Sequence, residues 1–439
     1  MHCRHRRPDG TLALLLLIFG LTACAGRPST PVATAGFFDT DFQPARDRQT
    51  VRVALAFSEP EVVFEAASGV EFPSAAGARR GPAGRYRVKA EDERVVVVTP
   101  AGTVWQAERG IRLVGHGETP WRWNGDRFAG TLIARRNDDG TVSLINDLSI
   151  ETYLRGVVPW EIGRPDDEAR AAVEAQAIAA RTYTYARLGR WDEYGFDVYA
   201  DVRDQVYRGM SGTAAICDQA IESTRHRVAV RDGKLIRAYY SSTGGGHTAT
   251  LIDVWTREGA PYLTGRRDSD ARGRSWCSDS RHFRWTEVWS ARELGEIVRE
   301  HLPVELKRSL EAEDIGVLVD LRVVARDASG RVQRLAIVTD VDTFEVWGDR
   351  IRWVLRPVAS AYGILRSTLF SVETVRDDAG KLTGVVLRGG GFGHGVGLCQ
   401  TGALARARAG QNAEMILRAY YDGVEVEDVR GLRGWRLAR

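Results

Sequence analysis

The chain has 439 residues, 44% hydrophobic and 27% charged, enough apolar side chain for two or three packed units. Its 61 Lys and Arg against 58 Asp and Glu leave a formal charge of +3, with the cations spread along the whole chain, which argues against the concentrated basic face of a nucleic-acid binder. Five cysteines without a CxxC spacing exclude a disulfide framework.

At the N-terminus, Arg4, Arg6 and Arg7 precede a short apolar run from Thr11 to Leu21, too short to span a bilayer comfortably. The run ends in Leu21-Thr22-Ala23-Cys24, the lipobox pattern of bacterial lipoproteins, in which small residues admit a signal peptidase and the Cys24 thiol accepts lipid. Residues 1–23 are therefore expected to be a lipoprotein signal peptide, with an ordinary secretory signal cut nearby as the alternative. Residues 24–47 read as a Pro/Ser/Thr/Ala tether. Cys3 would leave with the signal and Cys24 would be lipidated, so Cys217, Cys277 and Cys399 remain. One disulfide would fit an oxidising compartment, and the sequence does not choose the pair.

Alternating apolar residues at Val51, Val53 and Leu55 predict a strand over 50–57, and 62–64, 86–88 and 95–98 read likewise between Gly, Pro and Ala turns. These strands make a small β-rich N-terminal module over 48–115. In the remaining unit, 116–439, strands over 128–134 and 142–146 are joined by the hairpin turn Asn137-Asp138-Asp139-Gly140. Ser149 to Tyr153, including Glu151, continues the strand pattern. Pro165 followed by Asp166, Asp167 and Glu168 predicts the start of a helix that runs to about Leu188, with many alanines for close approach. Helices are also expected over 214–223, 292–301 and 413–421. A hairpin is expected over 228–239, with strands over 317–325, 332–339, 346–352 and 385–387. The fold class is α+β, mainly antiparallel sheet with packed helices.

Within this frame, Trp160 and Ile162 give Glu161 an apolar setting just ahead of the packed helix. Burial there would raise its pKa and suit a general acid. The structural alternative is a Glu that caps the helix or pairs with an Arg. Tyr240 to His247 contains Ser241, Ser242, Thr243 and Gly244 but no G-x-S-x-G elbow, so it reads as a glycine turn lining a polar cleft and not as a serine nucleophile. Gly391 to Ala403 is a second dense signature, with glycines for tight backbone approach around His394 and with Gln400 three residues past Gly397. His394 reads either as a hydrogen-bonding structural residue or as a cleft residue, and Cys399 as a small-residue exchange or a reactive thiol. His247, His394 and Cys399 lack metal-ligand spacing.

Taken together, Tyr153–Tyr183, Asp197–Gly209, Tyr239–Thr248 and Gly391–Ala403 resemble the SpoIID/LytB family, the stage II sporulation protein D and amidase-enhancer proteins that act on peptidoglycan. The resemblance covers about residue 128 to the C-terminus, with gaps. It implies that Glu161, the Glu of the Gly-Val-Val-x-x-Glu pattern, is the essential residue of the lytic members. It further implies glycan contacts from Arg181, Gln205, Tyr207, Ser241, Ser242, Thr243, Gly244, His394 and Gln400. Some sporulation members hold zinc through His and Cys of the loop corresponding to Asp197–Tyr207, which here contains neither, so no metal and no cofactor is expected. The implied activity is that of a lytic transglycosylase cleaving between N-acetylmuramic acid and N-acetylglucosamine, with the substrate's own 6-hydroxyl as nucleophile and Glu161 as acid and base. The alternative is a non-catalytic glycan-binding lipoprotein that stimulates a cell-wall amidase. Expected partners are peptidoglycan glycan strands, the membrane through the N-terminal lipid, a cell-wall amidase in the second reading, and no nucleic acid. The expected location is the cell envelope, outside the cytoplasm.

Overall fold

The structure, a computed structural model, describes residues 32–34, 49–73, 77–255, 259–358 and 363–432. The expected signal peptide, Cys24 and most of the tether lie outside them. Two seven-stranded, mostly antiparallel sheets make up the N-terminal part. They share one core: Val53, Phe72, Leu113, Leu132 and Leu144 come from one sheet, Phe64, Tyr86, Val97, Trp105 and Trp121 from the other. Phe72 stacks on Trp105 at 5.2 Å, joining the two sheets by a face-to-face aromatic contact. The strand Gly110–Gly115 pairs with Thr131–Arg136, Leu113 lying opposite Leu132, so the division expected after residue 115 falls inside a sheet. The β unit runs on to Ser149, because the strand 142–149 pairs with Thr50–Glu59.

Three helices follow on the same core: α1 (Ile150–Glu161), α2 (Arg170–Tyr185) and α3 (Ala215–Ser223). Two C-terminal helices, Gln400–Arg408 and Ala413–Tyr420, pack on α2 as well. The α2 alanines at 172, 175, 177, 179 and 180 are fully buried, which lets four helices crowd around it. The expected start of this helix at Pro165 is delayed: a single 3₁₀ turn, Asp167–Ala169, precedes it.

Residues 285–389 build a second core of their own. Two three-stranded antiparallel sheets and the helix Ala291–Leu306 bury Trp289, Leu294, Leu321, Leu335, Ile337 and Val385. Ser290 and Glu293 form a reciprocal capping box that sets the helix start. This unit is inserted between two chain segments that belong to the first core, so 116–439 is not one packed body as expected. The strand expected over 346–352 stops at Trp347. Gly348 takes a left-handed φ of 55°, and the chain turns into the short helix Arg350–Val354. The fold is α+β with antiparallel sheet dominant, as the sequence pattern indicates. Among the described residues no helix is long and apolar enough to cross a membrane.

Candidate active site

Ser149 to Tyr153 is not a strand continuation; the chain turns helical at Ile150. Ser149 accepts the Thr152 N–H at 3.1 Å, and Glu151 lies in the first turn, where an acid opposes the positive helix end. Ile150, Tyr153, Leu154, Val157 and Val158 fall at i, i+3, i+4, i+7 and i+8, and all are buried. Pro159 lies inside α1 and withholds the N–H that would otherwise meet the Arg155 carbonyl. Ile162 N–H returns to the Val158 carbonyl at 3.1 Å, and Gly163 takes a left-handed φ of 84°. Glu161 therefore closes its own helix and does not stand ahead of the next one. A carboxylate at the negative end of a helix dipole is disfavoured, which adds to the effect of burial.

Gly156 explains what faces Glu161. A Cβ there would lie 2.3 Å from the Gly209 carbonyl and 2.6 Å from the Tyr207 ring, so only Gly lets the 200–209 loop press against α1. The Arg208 N–H donates to the Gly156 carbonyl at 3.2 Å, and the docked loop brings the Val206 N–H to Glu161 Oε1 at 2.9 Å. The loop is anchored by its own acids. Asp204 accepts from Tyr183 at 2.8 Å and from the Tyr199 N–H at 2.9 Å and pairs with Arg187, while Asp197 pairs with Arg52. The residues of this loop do not suit a zinc ion: it has neither His nor Cys, and the carboxylates of Asp197 and Asp204, with side chains out of solvent, already hold arginines.

On the other side, Gln400 Nε2 donates to Glu161 Oε2 at 3.3 Å and lies 3.4 Å from Gln176 Oε1. Gln400 opens a helix capped by Cys399, whose sulfur accepts the Gly402 N–H at 3.3 Å. The segment reaches this place by pairing with the hairpin end, Tyr240 opposite Leu398 and Ser241 opposite Cys399. Gly397 makes the pairing possible, since a Cβ there would meet the Tyr239 carbonyl at 2.1 Å. Desolvation raises the Glu161 carboxyl to about 7, against the lowering effect of its hydrogen bonds from Val206 and Gln400. No charged side chain among the described residues contributes to that shift. The residue as a whole remains part-buried and is not sealed in.

The structure brings Glu161, Gln400 and the 205–207 loop together and sorts the other expected residues by depth. Arg181 is fully buried and holds Glu151 through a two-pronged contact at 2.9 and 2.7 Å, with further donation to the Ile221 and Arg227 carbonyls. It ties α1 to α2 and offers no surface to a ligand. Gln205 and Tyr207 are likewise interior. The Gln205 amide bridges Thr184, at 3.0 Å, and Tyr240, at 2.7 Å, and the Tyr207 hydroxyl donates to Asn146 at 2.8 Å. They shape the wall behind Glu161; the ring of Tyr207 is not free to stack on a sugar. Ser241, Thr243 and Gly244 are buried in the paired segments, and Ser242 is part-buried beside Thr401, which donates to its carbonyl at 2.9 Å. His394 accepts the Val396 N–H on Nδ1 at 3.0 Å and packs on Trp255 at 4.8 Å. Burial lowers its pKa to about 4, so its imidazole is neutral.

Sequence reasoning missed Gln176. It is fully buried in α2, and its Nε2 has no hydrogen-bond partner among the described residues. A lone amide on the buried face of an alanine-rich helix was the available signal, since an unpaired interior donor is costly unless something meets it.

The family described as Stage II sporulation protein matches residues 138–230, which hold α1, α2 and the 200–209 loop, and a domain of unknown function matches 276–397, the inserted unit. An uncharacterized protein of Brachyspira hyodysenteriae is 30% identical over 334 residues, 76% of this chain and 78% of that one. The amidase enhancer of Bacillus subtilis is 29% identical over 300 residues, covering 62% of this chain and 39% of that protein. Stage II sporulation protein D of Bacillus amyloliquefaciens is 24% identical over 299 residues, 65% of this chain and 76% of that one. With Glu161 at the end of α1, the docked loop and the Gln400 segment in place, and with these relatives, the chain belongs to the SpoIID/LytB family.

Proposed function

We propose that this protein is a peptidoglycan lytic transglycosylase of the cell envelope, with Glu161 as its only acid–base group. The observation that carries this is a single carboxyl with a pKa of about 7, held between the Val206 N–H and the Gln400 amide, with no carboxylate partner among the causes of its shift. Hydrolytic glycosidases usually work with two carboxylates, one of which activates water or attacks the sugar. A lone acid suits the reaction that needs no water. Protonated Glu161 gives its proton to the glycosidic oxygen as the bond from N-acetylmuramic acid breaks. The resulting carboxylate then takes the proton of the muramic 6-hydroxyl as that oxygen closes on C1 to form the 1,6-anhydro ring. The Val206 N–H and Gln400 amide stabilise the carboxylate between the two steps.

The test is release of anhydro-muropeptides from intact glycan, and of anhydro-disaccharides from peptide-stripped glycan, by wild type and Glu161→Gln. General acid–base catalysis contributes on the order of 10²- to 10⁴-fold, and here one group serves both steps, so the variant should fall to near background with glycan binding retained. Equal release by both removes Glu161 from the mechanism. Binding without release by wild type on either substrate favours the second reading, a glycan-binding stimulator of a cell-wall amidase, which the likeness to an amidase enhancer supports. In either reading the lipobox at Cys24 supports attachment to a membrane outside the cytoplasm.

A further inference from the structure

Cys277 and Cys399 both belong to the first core and stand on either side of the inserted unit at 285–389. Both are fully or almost fully buried, and their sulfurs lie in contact within 4.8 Å of each other and of the Asp268 carboxylate. Each sulfur is also met by backbone donors. Cys399 Sγ accepts the Gly244 N–H at 3.1 Å and the Gly402 N–H at 3.3 Å, and Cys277 accepts from the backbone of Gly245 and Gly246. The third described cysteine, Cys217, sits apart on α3 with its thiol on the Gly163 carbonyl.

The cluster could suggest a metal site, but its chemistry does not favour one. Closed structural zinc sites take four ligands, and among the described residues three come together here. Asp268 is already engaged on both oxygens, by Arg406 at 2.9 Å and by the Tyr420 hydroxyl at 3.1 Å. What remains is a pair of adjacent thiols.

We propose that Cys277 and Cys399 form a disulfide that ties together the two chain crossings at the root of the inserted unit. The bond would hold Cys399, and therefore the helix start that presents Gln400 to Glu161, against the point where the unit departs. The Cys277 thiol is held below its usual range by a hydrogen bond from Cys399, whose own thiol is pushed well above it. The bond forms during folding, before the site closes: with a small-molecule disulfide such as oxidised glutathione as oxidant, the Cys277 thiolate attacks one glutathione sulfur and expels a glutathione thiolate. Cys399 loses its proton to that thiolate and attacks the Cys277 sulfur, expelling the second glutathione. Two protein thiols are oxidised and one glutathione disulfide is reduced to two thiols.

The experiment does not depend on the cutting reaction. The full-length protein is refolded in a buffer of oxidised and reduced glutathione, quenched with acid, alkylated and digested with trypsin without reduction. The expected product is the peptide 275–281 joined to 389–406, two hydrogens lighter than the separate pair, with Cys217 alkylated. Cys277→Ser should remove the cross-link and leave Cys399 alkylated. A reductant should lower the unfolding midpoint of wild type by several degrees, with no such shift in Cys277→Ser. Both peptides recovered alkylated from the folded wild type would overturn the proposal, even if the variant does not fold. So would a bond from either cysteine to Cys217, or one zinc per chain in the purified protein.

Discussion

Replacing Glu161 with Gln should stabilise the folded protein at neutral pH even as it removes the proton chemistry. The carboxyl rises from an ordinary 4.5 to about 7, chiefly through desolvation. Below pH 4.5 the group is protonated in both folded and unfolded chains and contributes no difference. As pH rises from 4.5 to 7 the unfolded chain ionises freely while the folded chain holds its proton, so folding loses stability over that window and no more above it. Each decade of proton affinity corresponds to about 1.4 kcal/mol, which sets an upper bound of about 3 kcal/mol by pH 7. Partial exposure of Glu161 reduces that bound. Gln keeps the acceptor for the Val206 N–H, and the Gln400 and Gln176 amides can both reverse so that the unpaired Gln176 Nε2 turns toward Gln400. The assay is urea unfolding of wild type and Glu161→Gln at a series of pH values from 4 to 8. The two curves should coincide near pH 4 and separate progressively to pH 7, with the variant more stable. Parallel curves across the whole range would refute the raised carboxyl and with it the acid role. In the same window product release by wild type should fall as pH passes above about 7, because the proton to be donated is lost.

Gly156→Ala should force the 206–209 loop off α1, destabilising by about 1–3 kcal/mol as overpacking does and weakening product release through loss of the Val206 contact; denaturant unfolding and anhydro-product release measure the two effects. Arg181→Ala leaves Glu151 without its partner in a mostly buried site and should cost about 3–5 kcal/mol, read by denaturant midpoint, with Arg181→Lys restoring little because the paired contact needs the guanidinium fork. Cys24→Ser should shift the protein from the membrane to the soluble envelope fraction and abolish incorporation of labelled fatty acid; an unchanged membrane fraction would sink the lipoprotein reading.

Local chemistry announced much of this protein. The alternation at Val51, Val53 and Leu55 and the Asn137–Gly140 turn mark strands, because side-chain period and turn residues act over a few positions. Glycines marked the Tyr240 and Gly391 segments for close backbone approach, and alanines marked the helix after Glu161 for tight packing; the Asp197 segment was legible through the family resemblance. One local signal runs against the strand expected at Glu151: Ser149 and the spacing of Ile150, Tyr153, Leu154 and Val157 specify a helix. Nothing local says that 116–439 divides between two cores, because nothing local says which hydrophobic residues share one; Leu294, Leu335 and Val385 look like any others until the chain is folded. Residue type pointed to Glu161 and Gln400, 239 positions apart, but only the tertiary structure placed their side chains at 3.3 Å. It also turned Arg181, Gln205 and Tyr207 inward, since whether a polar side chain meets solvent or a buried partner depends on what the rest of the chain packs against it. The choice of Cys277 with Cys399 was beyond the sequence for the same reason: pairing depends on distance in space, and the inserted unit closes that distance by returning the chain to where it left.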